Sequence, residues 1–167
     1  RPDRTADDDN GHGTHVAGII AALNNTIGVV GVGPAVDLYA VKVLDRRGSG
    51  YVSDVIEGIQ WSINNGMQVS NMSLGLSSDV QSFHDAVAAA KAAGITQVAA
   101  AGNSGPGGNT VIYPAKYSEV IAVAATNQSD GQPSWSSRGP EVDLAAPGDA
   151  IYSTYRGGGY RTLSGTS

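Results

Sequence analysis

The sequence predicts an α/β fold: a three-layer sandwich with a mostly parallel central sheet. Two observations carry that prediction. Short apolar, β-rich runs alternate with longer segments whose apolar residues recur at helical spacing, in the order strand, helix, strand, helix, strand. Glycine also stands where helical patterns should stop. Parallel strands joined by crossover helices are the arrangement that such alternation favours.

After an acidic opening through Asp7, Asp8 and Asp9, the spacing predicts a helix from His12 to Leu23 with Val16, Ile19, Ile20 and Leu23 on a core-facing stripe. Asp37 to Leu44 reads as a short strand. Val52 to Asn65 is helical, with Val52, Val55, Ile56, Ile59 and Ile63 on one face and Gly66 as its stop. Met67 to Leu74 reads as the next strand. Val80 to Ala93 repeats the helical pattern through Phe83, Val87 and Ala90 and ends at Gly94, and Ile95 to Ala101 is extended. Beyond Asn103, where Gly and Pro are dense, Val120 to Ala125, Val142 to Ala145 and Ala150 to Tyr155 read as further short strands. Ligands of open parallel sheets sit at the carboxyl ends of strands, so the loops after Leu44, Ser73 and Ala101 are where chemistry is expected.

A length of 167 residues with 41% apolar content suits one domain, or part of one. Fifteen acidic residues against ten basic ones give a net charge of −5, and no Lys/Arg cluster offers a nucleic-acid footprint, so no nucleic acid is expected as partner. Apolar runs such as Val16 to Leu23 fall short of the roughly 20 residues that cross a bilayer, so no membrane partner is expected either. With no cysteine, disulfides, zinc thiolates and a Cys nucleophile are excluded, while the compartment stays open. The first six residues contain no apolar stretch of a secretory signal, and the small-residue ending Leu163-Ser164-Gly165-Thr166-Ser167 reads as a truncation.

Three polar clusters fall where such loops or helix starts should be. In His12-Gly13-Thr14-His15-Val16-Ala17-Gly18, a His in the first turn of a helix is kept neutral by the positive end of the helix dipole, as a general base requires; the pair of His residues also has a structural or metal-binding reading. In Ala100-Ala101-Gly102-Asn103-Ser104-Gly105, the amide either shapes a turn or donates to an oxyanion. Ser164-Gly165-Thr166-Ser167 is either an ordinary loop or a Ser placed for close approach to substrate.

Taken in this order, the clusters resemble the subtilisin (subtilase) family, and the resemblance runs through nearly all of the chain after Asp8. The segments that carry it are Asn10-Gly11-His12-Gly13-Thr14-His15-Val16-Ala17-Gly18, Leu23-Asn24-Asn25-Thr26-Ile27-Gly28-Val29, Asn71-Met72-Ser73-Leu74-Gly75, Ala100-Ala101-Gly102-Asn103 and Gly165-Thr166-Ser167. It implies a subtilisin-like sandwich and an extracellular serine endopeptidase working through an acyl-enzyme, with Ser167 as nucleophile, His12 as base, and Asn103 sharing the oxyanion hole with the Ser167 N–H. His15 matches no triad position and is expected to be structural.

The resemblance also implies an extended protein or peptide substrate held between Gly48-Ser49-Gly50 and Ser73-Leu74-Gly75. Its S1 pocket would be walled by Ser73 to Gly75 and by Ala100, Ala101 and Gly102. Ile112 stands at the pocket base, where the family often has Gly, which implies a shallow S1; Val52 implies an open S4. Calcium is the implied ion, held by the carbonyls of Leu23, Ile27 and Val29 with the Asn25 side chain, and a weaker cation site would use the carbonyls of Ala115, Tyr117 and Val120. A propeptide partner and a monomeric complete protein fit the same picture.

One family feature has no match. The triad Asp should stand well before the His, in an Asp-Thr-Gly-like or Asp-Ser-Gly-like motif, and none precedes His12. Asp3, Asp7, Asp8 and Asp9 lie too close to the His-bearing segment and on no strand pattern. The 167-residue chain by itself is therefore expected to be inactive and doubtful as an independently folding unit, a partial catalytic domain of a longer peptidase. The competing reading is a subtilase-like module that binds peptides without cutting them. A nucleotide-binding α/β domain is disfavoured, because no GxGxxG or P-loop follows the first strand.

Overall fold

The computed structural model describes residues 5–167. It has three helices, α1 (His12–Ala21), α2 (Val52–Asn64) and α3 (Gln81–Ala92), and six strands, β1 (Val69–Met72), β2 (Thr96–Ala100), β3 (Ile121–Thr126), β4 (Val142–Pro147), β5 (Ile151–Tyr155) and β6 (Gly159–Leu163). The chain divides into two compact units. One holds the described part of Arg1–Asp54 with Ile151–Leu163, the other Val55–Ala150 with Ser164–Ser167.

The second unit contains the expected parallel sheet, in the order β1-β2-β3-β4. Met72 pairs with Ala99, Ala100 with Val123, and Ala125 with Ala146. Phe83, Val87 and Ala90 recur at helical spacing on α3 and are buried, and with Ile95, Ala99 and Ala122 they form the apolar centre. Gln97 is buried among them at 1% exposure, its Nε2 donating to the Val87 carbonyl at 2.8 Å while Oε1 has no partner among the described residues. Gly66 and Gly94 follow α2 and α3 with φ of +66° and +87°, a backbone region open to Gly and costly for other residues.

Only the β1–β2 connection carries a helix. The β2–β3 and β3–β4 connections are loops dense in Gly and Pro, which oppose helix propagation.

In the first unit, α1 lies on a β5–β6 hairpin, an antiparallel pairing that the sequence reading did not anticipate. Gly18 makes the close approach feasible: a Cβ there would stand 2.2 Å from Thr154 Oγ1. Ser153 Oγ and Thr154 Oγ1 donate to the carbonyls of His15 and Thr14, each at 2.8 Å. His15 Nε2 lies 3.0 Å from the carbonyls of both Ile151 and Arg161, so that nitrogen carries the proton and bridges the hairpin.

Two expectations need correction here. The helix ends at Ala21, and its buried positions are His15 and Gly18; Val16, Ile19 and Ile20 are only half-buried and Leu23 is 66% exposed. The close face is set by the polar contacts to the hairpin, which the apolar stripe does not share. Asp37 to Leu44 forms no strand ladder among the described residues, although its β-rich composition suits one. Leu38 and Tyr39 are 49% and 58% exposed. A strand needs a partner for its backbone groups, and propensity does not supply it.

Candidate active site

In the second unit the loops that follow β1 and β2 meet the segment Ser164–Ser167. Thr166 donates to Asn103 Oδ1 from both its backbone N–H and its Oγ1, each at 3.0 Å. Thr166 Oγ1 also accepts from the Gly102 N–H at 3.0 Å. An oxygen that takes two donors fixes which way an amide faces, so Asn103 Nδ2 points away and keeps its hydrogens. It has no hydrogen-bond partner among the described residues. Ser73 Oγ donates to the main-chain oxygen of Ser167 at 2.6 Å, and Gly165 N–H donates to the Gly148 carbonyl at 2.9 Å. Asn103 is thus joined to Thr166, the neighbour of Ser167, and Ser73 to Ser167 itself.

The expected S1 walls lie in the same unit. A Cβ on Gly75 would meet Ile112 Cδ1 at 2.5 Å, and one on Gly102 would meet Ile112 Cγ1 at 3.2 Å. Ile112 therefore packs against Gly75 and Gly102 and occupies space between the segments Ser73-Leu74-Gly75 and Ala100-Ala101-Gly102. Its N–H donates to the Ala101 carbonyl at 3.0 Å, which ties it to the β2 side. Tyr113 N–H and the Leu76 carbonyl, 2.9 Å apart, close the other side.

His12 and Gly48-Ser49-Gly50 stand in the first unit. His12 opens α1 and is half-buried, and its ring nitrogens have no hydrogen-bond partner among the described residues. Burial lowers its pKa below the ordinary 6.5, with a smaller push from His15, while the Asp8 charge opposes. A neutral ring at pH 7 follows.

The Asp8 carboxylate accepts from the amides of Gly11 at 2.7 Å, Thr14 at 2.8 Å and Asn10 at 2.9 Å, and from Thr14 Oγ1 at 2.6 Å. Burial pulls its pKa upward, but those four donors together outweigh it and hold the group well below the usual carboxylate range. The carboxylate is committed to the start of α1. Asp9 pairs with Lys42, Asp7 is exposed, and Asp3 lies outside the described residues. The contact of Thr166 with Asn103 and the capping of α1 by Asp8 are features that sequence reading did not assign.

The Leu23–Val29 loop, also in the first unit, is built from oxygen donors. The carbonyls of Leu23, Ile27 and Val29 accept no hydrogen bond from a described residue, and Asn25 Oδ1 faces the Ile27 N–H at 2.9 Å. Hard oxygen donors of this kind suit a calcium ion. In the other proposed cation loop, the Tyr117 carbonyl accepts from the Val120 N–H at 3.1 Å, while those of Ala115 and Val120 are free of such bonds. Among the described residues no group of three or more His, Asp or Glu side chains is placed to hold a metal.

The Asn103 amide and Ser73 thus hold the segment Thr166–Ser167 in loops that follow strands of a parallel α/β sheet. The family model described as "Subtilase family" matches residues 1–167, and the chain belongs to that family. It is 58% identical over 160 residues to a thermostable alkaline protease of Halalkalibacterium halodurans, covering 96% of this chain and 44% of that protein. It is 54% identical over 162 residues to subtilisin DY of Bacillus licheniformis, covering 96% and 59%. Among solved structures, a cold-adapted subtilisin-like serine proteinase matches with a TM-score of 0.87 at 40% identity, covering 95% of this chain and 56% of that one. Sphericase matches with a TM-score of 0.89 at 39% identity, covering 95% and 59%. The chain spans about half the length of the curated relatives it matches.

Proposed function

We propose that the protein carrying this chain is an extracellular serine endopeptidase. The observation that supports the reading is the Asn103 amide, its Oδ1 held by Thr166, the neighbour of Ser167 in sequence, and its Nδ2 without a partner among the described residues. Ser167 Oγ attacks the scissile carbonyl and His12 takes its proton. The tetrahedral oxyanion is held by Asn103 Nδ2–H and the Ser167 N–H. His12 then protonates the leaving amine, and water, activated by the same ring, hydrolyses the acyl-enzyme. The depressed pKa of His12 keeps it in the basic form near neutrality. The triad Asp would come from a segment other than Asp7, Asp8 or Asp9, and the chain alone is inactive.

Substrate lies extended along Gly48-Ser49-Gly50 and Ser73-Leu74-Gly75, so affinity comes from backbone pairing with little sequence demand. Ile112, against Gly75 and Gly102, leaves a shallow S1 that accepts Ala or Leu better than Phe or Tyr. Ile112→Gly is expected to raise the Phe-to-Ala ratio of kcat/KM by about tenfold or more, as the removal of several methylenes from a pocket does; an unchanged ratio would remove Ile112 from S1. Calcium, when bound, ties the Leu23–Val29 loop through carbonyl oxygens and Asn25 and plays no part in the chemistry. The Ala115, Tyr117 and Val120 carbonyls hold a second, weaker cation. The complete protein acts as a monomer, with a propeptide as a further partner.

The test is hydrolysis of denatured casein and of short P1-varied peptides by the full-length protein and by the 167-residue chain. Cleavage by the first alone is expected. A folded full-length protein that binds these peptides and cuts none would establish the non-catalytic peptide-binding module instead.

A further inference from the structure

The loop that leads into Gly48-Ser49-Gly50 is closed on itself. Asp45 N–H donates to the Ser49 carbonyl at 2.7 Å and Gly48 N–H to the Asp45 carbonyl at 2.9 Å. The Asp45 carboxylate accepts from the amides of Arg47 and Ser49 at 2.8 and 3.1 Å. Gly50 permits the closure: a Cβ there would stand 2.2 Å from the Val43 carbonyl oxygen. Asn10 Nδ2 donates to the Arg46 carbonyl at 3.0 Å, which fixes the head of the loop near the start of α1.

Arg46 and Arg47 ride on this fixed turn. Both are exposed, and neither guanidinium makes a hydrogen bond or ion pair with a described residue. Among the acids of this unit, Asp45 accepts from the two loop amides and also attracts both arginines, Asp8 is held by the α1 terminus, and Asp9 pairs with Lys42. Two exposed positive charges, offset in part by Asp45, therefore stand beside the proposed substrate edge of a chain whose net charge is −5.

We infer that Arg46 and Arg47 make this edge select peptides that carry an acidic residue on the amino-terminal side of the scissile bond. The inference rests on the reading of Gly48-Ser49-Gly50 as a substrate edge. A carboxylate a few ångströms from exposed guanidinium groups gains modest, salt-dependent attraction, and an ammonium in the same place is repelled. Arg offers a planar, multiply donating fork to a carboxylate, so the preference is chemical as well as coulombic.

The experiment uses the full-length protein and peptides with Leu at P1 and Ala elsewhere, into which Glu, Gln or Lys is placed singly at P2, P3 or P4. The expected result is a kcat/KM ratio of Glu to Lys of about fivefold or more at one or more of these positions at low ionic strength. A fivefold ratio is about 1 kcal/mol. The ratio should shrink at high salt and approach one in the Arg46→Ser, Arg47→Ser double variant. Equal rates at all three positions, or a preference that survives both substitutions, would overturn the inference. If no peptide is cut, fluorescence anisotropy of the same labelled peptides measures the ratio as Kd. Equal Kd values then overturn the arginine inference, whereas tighter Glu binding without turnover sustains it and overturns the peptidase reading alone.

Discussion

Around Asn103 in the second unit the polar groups are matched to one another: Oδ1 takes two donors from Thr166, whose Oγ1 in turn accepts the Gly102 amide. In the first unit the ring of His12 has no such partner among the described residues, and residues 36–44 form no helix or strand, with Leu38, Tyr39 and Val41 exposed. The difference separates two ways in which a site residue is prepared. Asn103 is oriented by neighbours within reach on this chain. His12 has its pKa lowered by burial, with the Asp8 charge opposing, and its ring has no hydrogen-bond partner among the described residues.

The contrast in packing gives the largest expected effect on stability. In the 167-residue chain, Phe83→Ala should destabilise the second unit by about 3–5 kcal/mol, because a fully buried ring leaves a cavity. Leu38→Ala, at an exposed position, should change stability by less than about 0.5 kcal/mol. Urea unfolding with hydrogen exchange reads both: amides of β2 and β3 should be protected and those of residues 36–44 should exchange fast. Equal protection would erase the contrast.

Next in size is the oxyanion donor. Asn103→Ala in the full-length protein should lower kcat by about 10²–10³ with little change in KM, a magnitude known from a subtilisin, the same family, and carried over from it. Loss in KM alone would make Asn103 a binding residue and not a transition-state donor.

The smallest effect is electrostatic and belongs to the first unit. Because the folded-state pKa of Asp8 lies below its ordinary 3.8, the carboxylate stabilises the fold above that value, and the contribution disappears as pH falls from there through the depressed folded value. Asp8→Ala should cost about 1–3 kcal/mol at neutral pH, through lost hydrogen bonds to a charged group. It should also flatten the acid limb of a stability-against-pH curve below about pH 4. An unchanged acid limb in the variant would show that another carboxylate governs it.

What could be read from the sequence was what local pattern determines. The stripe of Phe83, Val87 and Ala90 and the stops at Gly66 and Gly94 appear in the structure as a buried helix face and as left-handed glycines. The β5–β6 hairpin escaped notice although Gly157 and Gly158, both at positive φ, lie between two β-rich runs, which is a turn signal. Asp37 to Leu44 shows the opposite error, since its composition is that of a strand but a ladder depends on a partner that composition does not reveal. At the site, Asn103 and Ser167 stand in recognisable motifs. Thr166 stands in the same motif as Ser167, but its contact with Asn103, 63 positions away, is not legible there.

The most direct test of the account is to treat the full-length protein with a serine-directed fluorophosphonate and map the label by mass spectrometry. The account predicts covalent modification at Ser167 that is lost in His12→Ala. A folded protein that takes no label, or one labelled equally well in His12→Ala, would contradict the assignment of Ser167 as the nucleophile activated by His12.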